Sequence, residues 1–226
     1  MNRVVPLAEG EYYHIYSRGV EKRPIFLDDN DRERFIKLLH IANSENSFVY
    51  RDVEKKTLDA IDPGKRLVAI GAYVLMDNHF HILIKEIGEN GITNFMQKLL
   101  TGYSSYFNKR HSRTGTLFQS RYQSQHVSRD EHLKYLFAYI HLNPVKRIEP
   151  RWKEDGLKNM SAVKKLLSVY SYSSYMDYIG QTYGSSRVEE LILSKKEFPH
   201  YFAEGQGHQF QEFVQDWLTL KNAETT

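Results

Sequence analysis

The sequence predicts an α+β fold in which a four-stranded antiparallel sheet carries helices in the ferredoxin-like order, with a helical C-terminal appendage. β-prone runs and runs of helical periodicity alternate as β-α-β-β-α-β along residues 11–127, and another helix follows them. After residue 151 the strands give way to helical stretches and a Tyr/Ser run. We therefore expect one domain at residues 1–151 and a helical extension at residues 152–226.

The first half of the chain shows one helix signal and one hairpin signal. Aromatic residues at 11–17 predict a first strand, and Asp28 or Asp29 is placed to cap a helix that runs to about residue 42. The apolar run 67–76 predicts a central strand. Asp77 and Asn78 then allow a tight turn into a strand at 79–85, so the two strands form a hairpin.

The second half of the domain repeats the helix-strand-helix pattern. A helix is predicted at 91–110, with a strand at 117–127 after a glycine-containing loop. Ser128 and Glu131 have the spacing of a capping box for the next helix, which must end near Asn143 and Pro144. Further helices are expected at 158–167, 186–194 and 208–221. The candidate core stripe of the long helix is Ile92, Phe95, Leu99, Tyr103 and Tyr106.

Composition excludes several classes of protein. With no cysteine among 226 residues, the chain has no disulfide framework, cysteine nucleophile, zinc finger or iron–sulfur cluster. The longest uncharged apolar run, residues 67–76, is about half the length of a membrane span. The first residues lack the apolar core of a signal peptide. We therefore expect a cytoplasmic protein that does not contact a membrane.

Positive charge is concentrated in one segment. The net charge is only +3, but residues 101–151 hold nine Lys or Arg against three acidic residues, with tyrosine and phenylalanine interleaved. Basic side chains among aromatics suit a phosphate backbone with unstacked bases. A solvated basic face over core aromatics explains the same pattern, so charge alone leaves both interpretations open.

His79 and His81 form the first candidate site. Side chains alternate between the faces of a strand, so these imidazoles share one face while Phe80 points to the other. Two imidazoles one pleat apart are well placed to hold a divalent metal. Two half-exposed strand histidines would have the same spacing, and the motif needs further context.

Tyr139 is the second candidate, on the helix after the last strand. A tyrosine hydroxyl can attack a phosphodiester, and a bound metal would polarise the phosphate. Asn143 lies four residues later on the same helix face, where its amide oxygen could be a third ligand to a cation such as Mg²⁺. Composition does not distinguish Tyr139 from Tyr135 or Tyr122 among sixteen tyrosines.

Four longer stretches carry a resemblance to a known family. They are YHIYSRG at 13–19, YVLMDNHFHILI at 73–84, GTLFQSRY at 115–122 and YIHLNPV at 139–145. In this order they resemble the REP-associated tyrosine transposases of the HUH single-tyrosine superfamily, the IS200-like transposases. The run at 170–175 resembles the stretch that follows the catalytic core in that family. One departure is Asp77, where relatives usually have proline.

The resemblance implies an HUH transposase fold and a transesterification on single-stranded DNA beside a hairpin. His79, His81 and Asn143 would hold Mg²⁺ or Mn²⁺, and Tyr139 would form a covalent 5′-phosphotyrosine. The protein would be nucleoid-associated and act as a monomer or homodimer. The residues expected to contact DNA are Arg18, Lys109, Arg110, Arg113, Gln119 and Arg121.

Three other functions fit part of the sequence. A domesticated hairpin-DNA-binding protein without transposition activity would keep the fold. A metal phosphodiesterase would use the histidine pair with an activated water. An RRM-type RNA-binding module shares the ferredoxin-like order, but the chain lacks the aromatic RNP strand and the histidine pair has no role there.

Overall fold

The computed structural model describes residues 7–180, 187–199, 201 and 207–223. One sheet contains the strands β1 (Tyr12–Arg18), β2 (Val68–Met76), β3 (His79–Glu86) and β4 (Gln123–Val127). Their order across the sheet is β2-β3-β1-β4, and each neighbouring pair is antiparallel. This is the ferredoxin-like arrangement, so the predicted fold class is confirmed.

The helices agree closely with the periodicity of the sequence in the first 142 residues. Asp28 accepts a hydrogen bond from the Asp31 backbone and so caps the first long helix, as predicted. In chain order the helices are α1 (Asp29–Ile41), α2 (Tyr50–Val53), α3 (Gly91–Arg110), α4 (Asp130–Leu142), α5 (Trp152–Asp155), α6 (Met160–Val169), α7 (Tyr175–Ile179) and α8 (Gly207–Ala223).

Two predictions around the last strand were wrong. The strand spans only Gln123–Val127 rather than 117–127, because its earlier part makes only an isolated bridge between Phe118 and Gly19. The capping box does not form either. Helix α4 begins at Asp130, with Arg129 in the cap position and no side-chain cap, so Ser128 lies one residue too early.

The C-terminal predictions were less accurate. The helix expected at 158–167 is shifted to Met160–Val169, with Asn159 as its cap. The segment predicted as a helix at 186–194 forms a 3₁₀ turn at Val188–Ile192, and residue 186 lies outside the described residues. No helix in the described part of the chain has the length and hydropathy needed to cross a membrane.

Both faces of the sheet are covered. On one face, α1 and α3 bury a cluster that includes Phe35, Phe80 and Tyr103. Of the predicted α3 stripe, only Tyr106 remains partly exposed, and Phe107 is buried in its place. On the other face, Leu83 packs in a second cluster with α4 and residues of the C-terminal extension. The boundary at residue 151 stays a prediction, but the segments on either side of it share this cluster.

The C-terminal extension also pairs with the outer edge of the sheet. The Leu75 backbone donates to the Tyr172 carbonyl at 2.9 Å, and the Ser174 backbone donates to the Tyr73 carbonyl at 3.0 Å. The hydroxyl of Tyr170 donates to the Leu75 carbonyl at 2.5 Å. Residues 170–174 therefore cover an edge that would otherwise present unpaired backbone groups.

Gly71 allows the extension to approach the sheet closely. It lies at an irregularity in the pairing of β2 with β3. A Cβ atom at this position would lie 2.6–2.9 Å from ring carbons of Phe198. The Phe198 ring also contacts Tyr12 and Phe137, at centroid distances of 5.4 and 6.0 Å, so it has little freedom to move away.

We expect Gly71→Ala to lower the free energy of unfolding by about 1–3 kcal/mol, because the added methyl overpacks the contact with Phe198. Gly88→Ala is the matched control, since a Cβ atom there meets nothing within 4 Å. Its effect should stay within about 0.5 kcal/mol. Chemical denaturation of both variants checks this, and equal effects would show that the contact does not constrain residue 71.

Candidate functional site

The two histidines of β3 lie together on the face of the sheet that α4 covers. In the pairing of β1 with β3, His79 is opposite Arg18 and His81 is opposite Tyr16. The two imidazole centroids are 5.1 Å apart, and the rings are nearly perpendicular. His81 is buried, His79 is half-buried, and Phe80 between them is fully buried in the opposite layer. The alternation that the sequence predicts is therefore present.

Tyr139 lies against His81 of this pair in the same chain. The face of α4 that includes Leu136 and Ile140 packs into the core, and this fixes the rotation of the helix. The half-buried Tyr139 ring meets the His81 ring at a centroid distance of 5.5 Å and the His14 ring at 5.9 Å, both edge-on. One chain therefore brings the candidate nucleophile against His81, one of the three candidate metal ligands.

Asn143 begins the 3₁₀ turn Asn143–Arg147 that follows α4, where Pro144 ends the helix. Its side chain is buried, and Nδ2 donates to the Tyr139 carbonyl at 2.8 Å. Its Oδ1 atom is buried without a hydrogen-bond partner among the described residues. A buried acceptor of this kind is costly unless something binds it.

The donor atoms fit a divalent cation. His79 and His81 offer imidazole nitrogens, and Asn143 Oδ1 is an unpaired acceptor that a cation would satisfy. In the described part of the chain, no three His, Asp or Glu side chains form a cluster that could hold a metal ion. The amide of Asn143, together with water or phosphate oxygens, would therefore have to complete the coordination.

Sequence reasoning did not single out His14. It lies on β1, and its Nε2 is 2.9 Å from Nδ1 of His81, with the two rings stacked at a centroid distance of 5.0 Å. Both imidazoles are buried. The available signal was strand alternation, which puts His14 on the same face as Tyr16 and Arg18.

Burial keeps the histidines of the site neutral. It lowers the pKa of His79 to about 4, and the charges of Arg18 and Lys146 add to this effect. It also holds the pKa of His81 well below its usual value, with further contributions from His14 and His79. Burial lowers the pKa of His14 to about 4. The imidazoles are therefore available as lone-pair donors well below pH 6.5.

Tyr139 is held protonated. Burial raises the pKa of its phenol, and the Asn143 amide and the Arg18 charge oppose this rise. The Nζ atom of Lys153 lies 4.3 Å from the centre of the Tyr139 ring, so a cation covers one side of the aromatic system. The hydroxyl is not activated in this state and would need a base or a cation to become a nucleophile.

The predicted DNA-contacting residues fall into two places. Arg18 is at the histidine end of β1, and the Gln119 backbone donates to its carbonyl at 3.0 Å. Lys109 and Arg113 lie at the far end of α3 and in the loop after it. The exposed Arg121 follows Gln119 by two residues.

Arg110 is engaged in a structural cluster. Its guanidinium pairs with Asp28 at 2.6 Å and with the fully buried Asp31 at 2.5 Å. Asp31 also accepts a hydrogen bond from Tyr106 and contacts His111. This ion pair joins the start of α1 to the end of α3, so the guanidinium is already paired.

Asp77, the departure from the family pattern, links three parts of the site. Its carboxylate binds Arg32 of α1 at 2.7 Å and Arg147 at 2.6 Å. Arg147 ends the turn that begins at Asn143. The carboxylate therefore connects the β2–β3 turn, two residues before His79, to the turn that follows Tyr139.

Stability should fall as pH decreases from about 6.5 toward 4. The unfolded chain binds protons on histidine near pH 6.5, whereas burial lowers the folded pKa of His14 and His79 to about 4. Each such group removes up to about 1.4 kcal/mol per pH unit in this window. Asp177 has the opposite effect on stability and offsets the contribution of one histidine. Burial raises its pKa to about 7, so the folded state binds this proton more readily than the unfolded chain. Denaturant unfolding at pH 7.5, 6 and 5 measures the net slope.

His141→Gln provides the test of this slope. The wild-type imidazole is fully buried, and burial lowers its pKa to about 3. The variant removes one group that titrates only in the unfolded state, so the slope between pH 6 and 5 should decrease by about 1.4 kcal/mol per pH unit. An unchanged slope would contradict the assignment of neutral buried histidine.

Comparisons with known proteins identify the family. The sequence model described as "Transposase IS200 like" matches residues 9–143, from before β1 to Asn143. Among solved structures, the chain is similar to a REP-associated tyrosine transposase bound to a REP hairpin, with 14% identity and a TM-score of 0.46, covering 84% of this chain and 90% of that chain. A comparison with curated proteins returns no match. Because the family model covers more than half of the chain, the protein belongs to the IS200-like transposase family.

Proposed function

We propose that the protein is a divalent-cation-dependent transesterase that cleaves and rejoins single-stranded DNA next to a hairpin. The observation that carries this proposal is the packing of the Tyr139 ring against His81, at a centroid distance of 5.5 Å, within one chain. A tyrosine beside an imidazole that is free to hold a cation suits nucleophilic attack on a phosphodiester, because the cation could activate the hydroxyl and polarise the phosphate. In this proposal the nucleophile and the imidazoles therefore come from the same chain.

In the proposed step, the Tyr139 oxygen attacks the phosphorus of the scissile phosphodiester. A phosphorus–oxygen bond to Tyr139 forms while the bond to the 3′ oxygen breaks. The phenol loses its proton and the 3′ oxygen gains one, so the products are a 5′-phosphotyrosine and a free 3′-hydroxyl. The covalent link conserves the bond energy, and attack by a 3′-hydroxyl in the reverse direction rejoins the strand without a nucleotide cofactor.

A bound Mg²⁺ or Mn²⁺ would polarise the scissile phosphate and favour the phenolate. His79 and His81 would supply nitrogens to it, and Asn143 would supply its unpaired oxygen. The hydrogen bond from Asn143 Nδ2 to the Tyr139 carbonyl holds this amide one helical turn beyond the nucleophile. Asn143 would therefore couple the position of Tyr139 to that of the cation.

Arg18 and Lys146 contribute positive charge at the histidine pair, since both lower the pKa of His79 and of His81. Phosphates of the substrate strand would neutralise both side chains. Lys146 was not singled out from the sequence, although it belongs to the basic segment at residues 101–151. We assign both residues to the binding of the strand beside the cleavage site.

Hairpin recognition would use other exposed basic and polar side chains. Lys109, Gln119 and Arg121 are exposed and lie near the end of α3 or in the segment before β4. This assignment draws on the family resemblance and on the hairpin bound by the similar solved structure. A protein that kept these contacts without cleavage would be the domesticated DNA-binding alternative.

The structure weakens the RNA-binding alternative. RRM modules use an open sheet face on which aromatic side chains stack bases. Here one face is covered by α1 and α3, and the other is covered by α4 and the C-terminal extension. Among the described residues, both faces are therefore packed rather than open as in an RRM.

We expect Tyr139→Phe to eliminate the covalent DNA adduct, with a loss of more than about 1,000-fold, because the substitution removes only the nucleophilic oxygen. Binding of hairpin DNA should remain at the wild-type level. The measurement uses labelled single-stranded DNA that carries a hairpin, with Mn²⁺, and separates covalent adducts on a denaturing gel. His79→Ala and His81→Ala should also lose the adduct.

Tyr135→Phe is the matched control, because Tyr135 lies one turn earlier on α4 with its ring centroid 5.7 Å from that of Tyr139. This variant should still form the adduct. An adduct retained by Tyr139→Phe would exclude Tyr139 as the nucleophile. Cleavage without any adduct in the wild-type protein would favour a water-activating phosphodiesterase, and binding without cleavage would favour the domesticated alternative.

The salt dependence of DNA binding should distinguish basic residues that contact DNA from basic residues that form structural ion pairs. We expect Lys146→Ala and Arg121→Ala each to reduce the slope of log K against log salt by about 0.7–1, the effect of one lost phosphate contact. Arg110→Ala should leave the slope unchanged and lower the Tm, because the side chain pairs with Asp28 and Asp31. A reduced slope for Arg110→Ala would show that Arg110 contacts DNA.

A further inference from the structure

Asn78 and His14 each contact one imidazole of the histidine pair through a ring nitrogen. Nδ1 of His79 lies 2.6 Å from Oδ1 of Asn78, and Nδ1 of His81 lies 2.9 Å from Nε2 of His14. In both histidines the same ring nitrogen is therefore occupied by a neighbour. The other nitrogen, Nε2, is left in both rings for whatever the pair binds.

The orientation of the Asn78 amide determines the proton position on His79. Asn78 Nδ2 donates to the Lys22 carbonyl at 2.9 Å, and this directs Oδ1 toward His79. An amide oxygen can only accept, so the proton of the neutral imidazole must lie on His79 Nδ1. The lone pair is then on Nε2, the form that can bind a metal.

The contact between His14 and His81 has two possible proton arrangements. If His14 Nε2 carries the proton, then neutral His81 carries its own proton on Nε2 and cannot bind a metal there. If His81 Nδ1 donates to His14 Nε2, the lone pair of His81 lies on Nε2, as in His79. Only the second arrangement lets both histidines present the same nitrogen.

The sheet holds His14 in place for this role. His14 is opposite Leu83 in the β1–β3 register, so His81 is its diagonal neighbour on the same face. The two rings stack with an interplanar angle of 24°, and the His14 ring also meets the Tyr139 ring at a steep angle, 5.9 Å between centroids. Both imidazoles are buried, so water cannot readily replace this hydrogen bond.

We propose that Asn78 and His14 are positioning residues that accept the Nδ1–H groups of His79 and His81 and so direct both Nε2 lone pairs toward one divalent cation. The inference rests on the proposed function for the identity of the bound group. The proton positions are properties of the metal-free chain and can be measured without DNA or catalysis. Ligating imidazoles held through their second nitrogen bind metal more tightly, and loss of that partner costs about 10- to 100-fold in affinity.

The first test is the tautomeric state of the wild-type protein. Two-bond ¹H–¹⁵N correlation spectra of histidine-labelled, metal-free protein at neutral pH distinguish Nδ1–H from Nε2–H rings. We expect Nδ1–H for both His79 and His81, with resonances assigned from the spectra of His79→Ala and His81→Ala. An Nε2–H ring at His81 would overturn the role of His14, whatever the activity of the enzyme.

The second test is Mn²⁺ binding by isothermal titration calorimetry without DNA. His14→Phe retains an aromatic ring but has no acceptor, and it should weaken Mn²⁺ binding by about 10- to 100-fold. His14→Gln retains an acceptor and should recover part of the loss. Asn78→Leu should behave like His14→Phe.

His126→Phe is the matched control. His126 is on β4 of the same sheet, where it is opposite Tyr13 and pairs with Glu11, away from the histidine pair. It should bind Mn²⁺ like the wild type. Wild-type affinity in His14→Phe together with lost affinity in His81→Ala would overturn the positioning role but leave the metal site intact. Wild-type affinity in His79→Ala and His81→Ala would instead contradict the proposed metal site.

Discussion

The antiparallel pairing of β1 with β3 is the constraint on which the rest of the site depends. Its register puts Tyr16 opposite His81 and Arg18 opposite His79, and it brings His14 next to His81. Side chains repeat with a period of two along a strand. A slip of one residue would therefore turn the histidines into the layer that Phe80 occupies. Both strands are interior to the sheet, so further pairing on their outer sides holds this register in place.

The helix that carries Tyr139 depends on the C-terminal extension for its position. The imidazole of His141 on α4 contacts the Ser174 hydroxyl at 2.7 Å, and Ser174 in turn bonds the backbone of Tyr73 on the edge strand β2. These buried polar groups satisfy one another, which is the condition for placing them in a core. An extension whose sequence suggested no chemistry therefore supports the helix of the candidate nucleophile.

Basic residues in this protein serve two different purposes. Arg110 joins α1 to α3 through Asp28 and Asp31, and Arg147 joins the turn after α4 to Asp77. Lys146, which directly precedes Arg147, is exposed and contributes to the positive field at the histidines. Counting charges along the chain treats these residues alike. Their different roles follow from whether a carboxylate lies within reach of each side chain.

The sequence by itself determined the order of the strands and helices along the chain. It also determined that His79 and His81 share one face of their strand. These features follow from local periodicity and from the turn at Asp77 and Asn78, since neighbouring residues alone set them. The sequence also identified the family, because each of its motifs is a continuous stretch of the chain. Tyr139 could be selected from sixteen tyrosines only through that resemblance.

The tertiary structure alone decided which of these residues meet. His14 and His81 are within hydrogen-bond distance, and the Tyr139 ring contacts both imidazoles. The charge of Lys146 acts on His81. In the folded protein Arg110 forms a structural ion pair with Asp31, and the last strand spans only Gln123–Val127. Each of these outcomes depends on the register between distant strands and on the rotation of α4 in its core. Both arise from burying apolar surface between segments far apart in the chain, a cooperative property that local patterns do not encode.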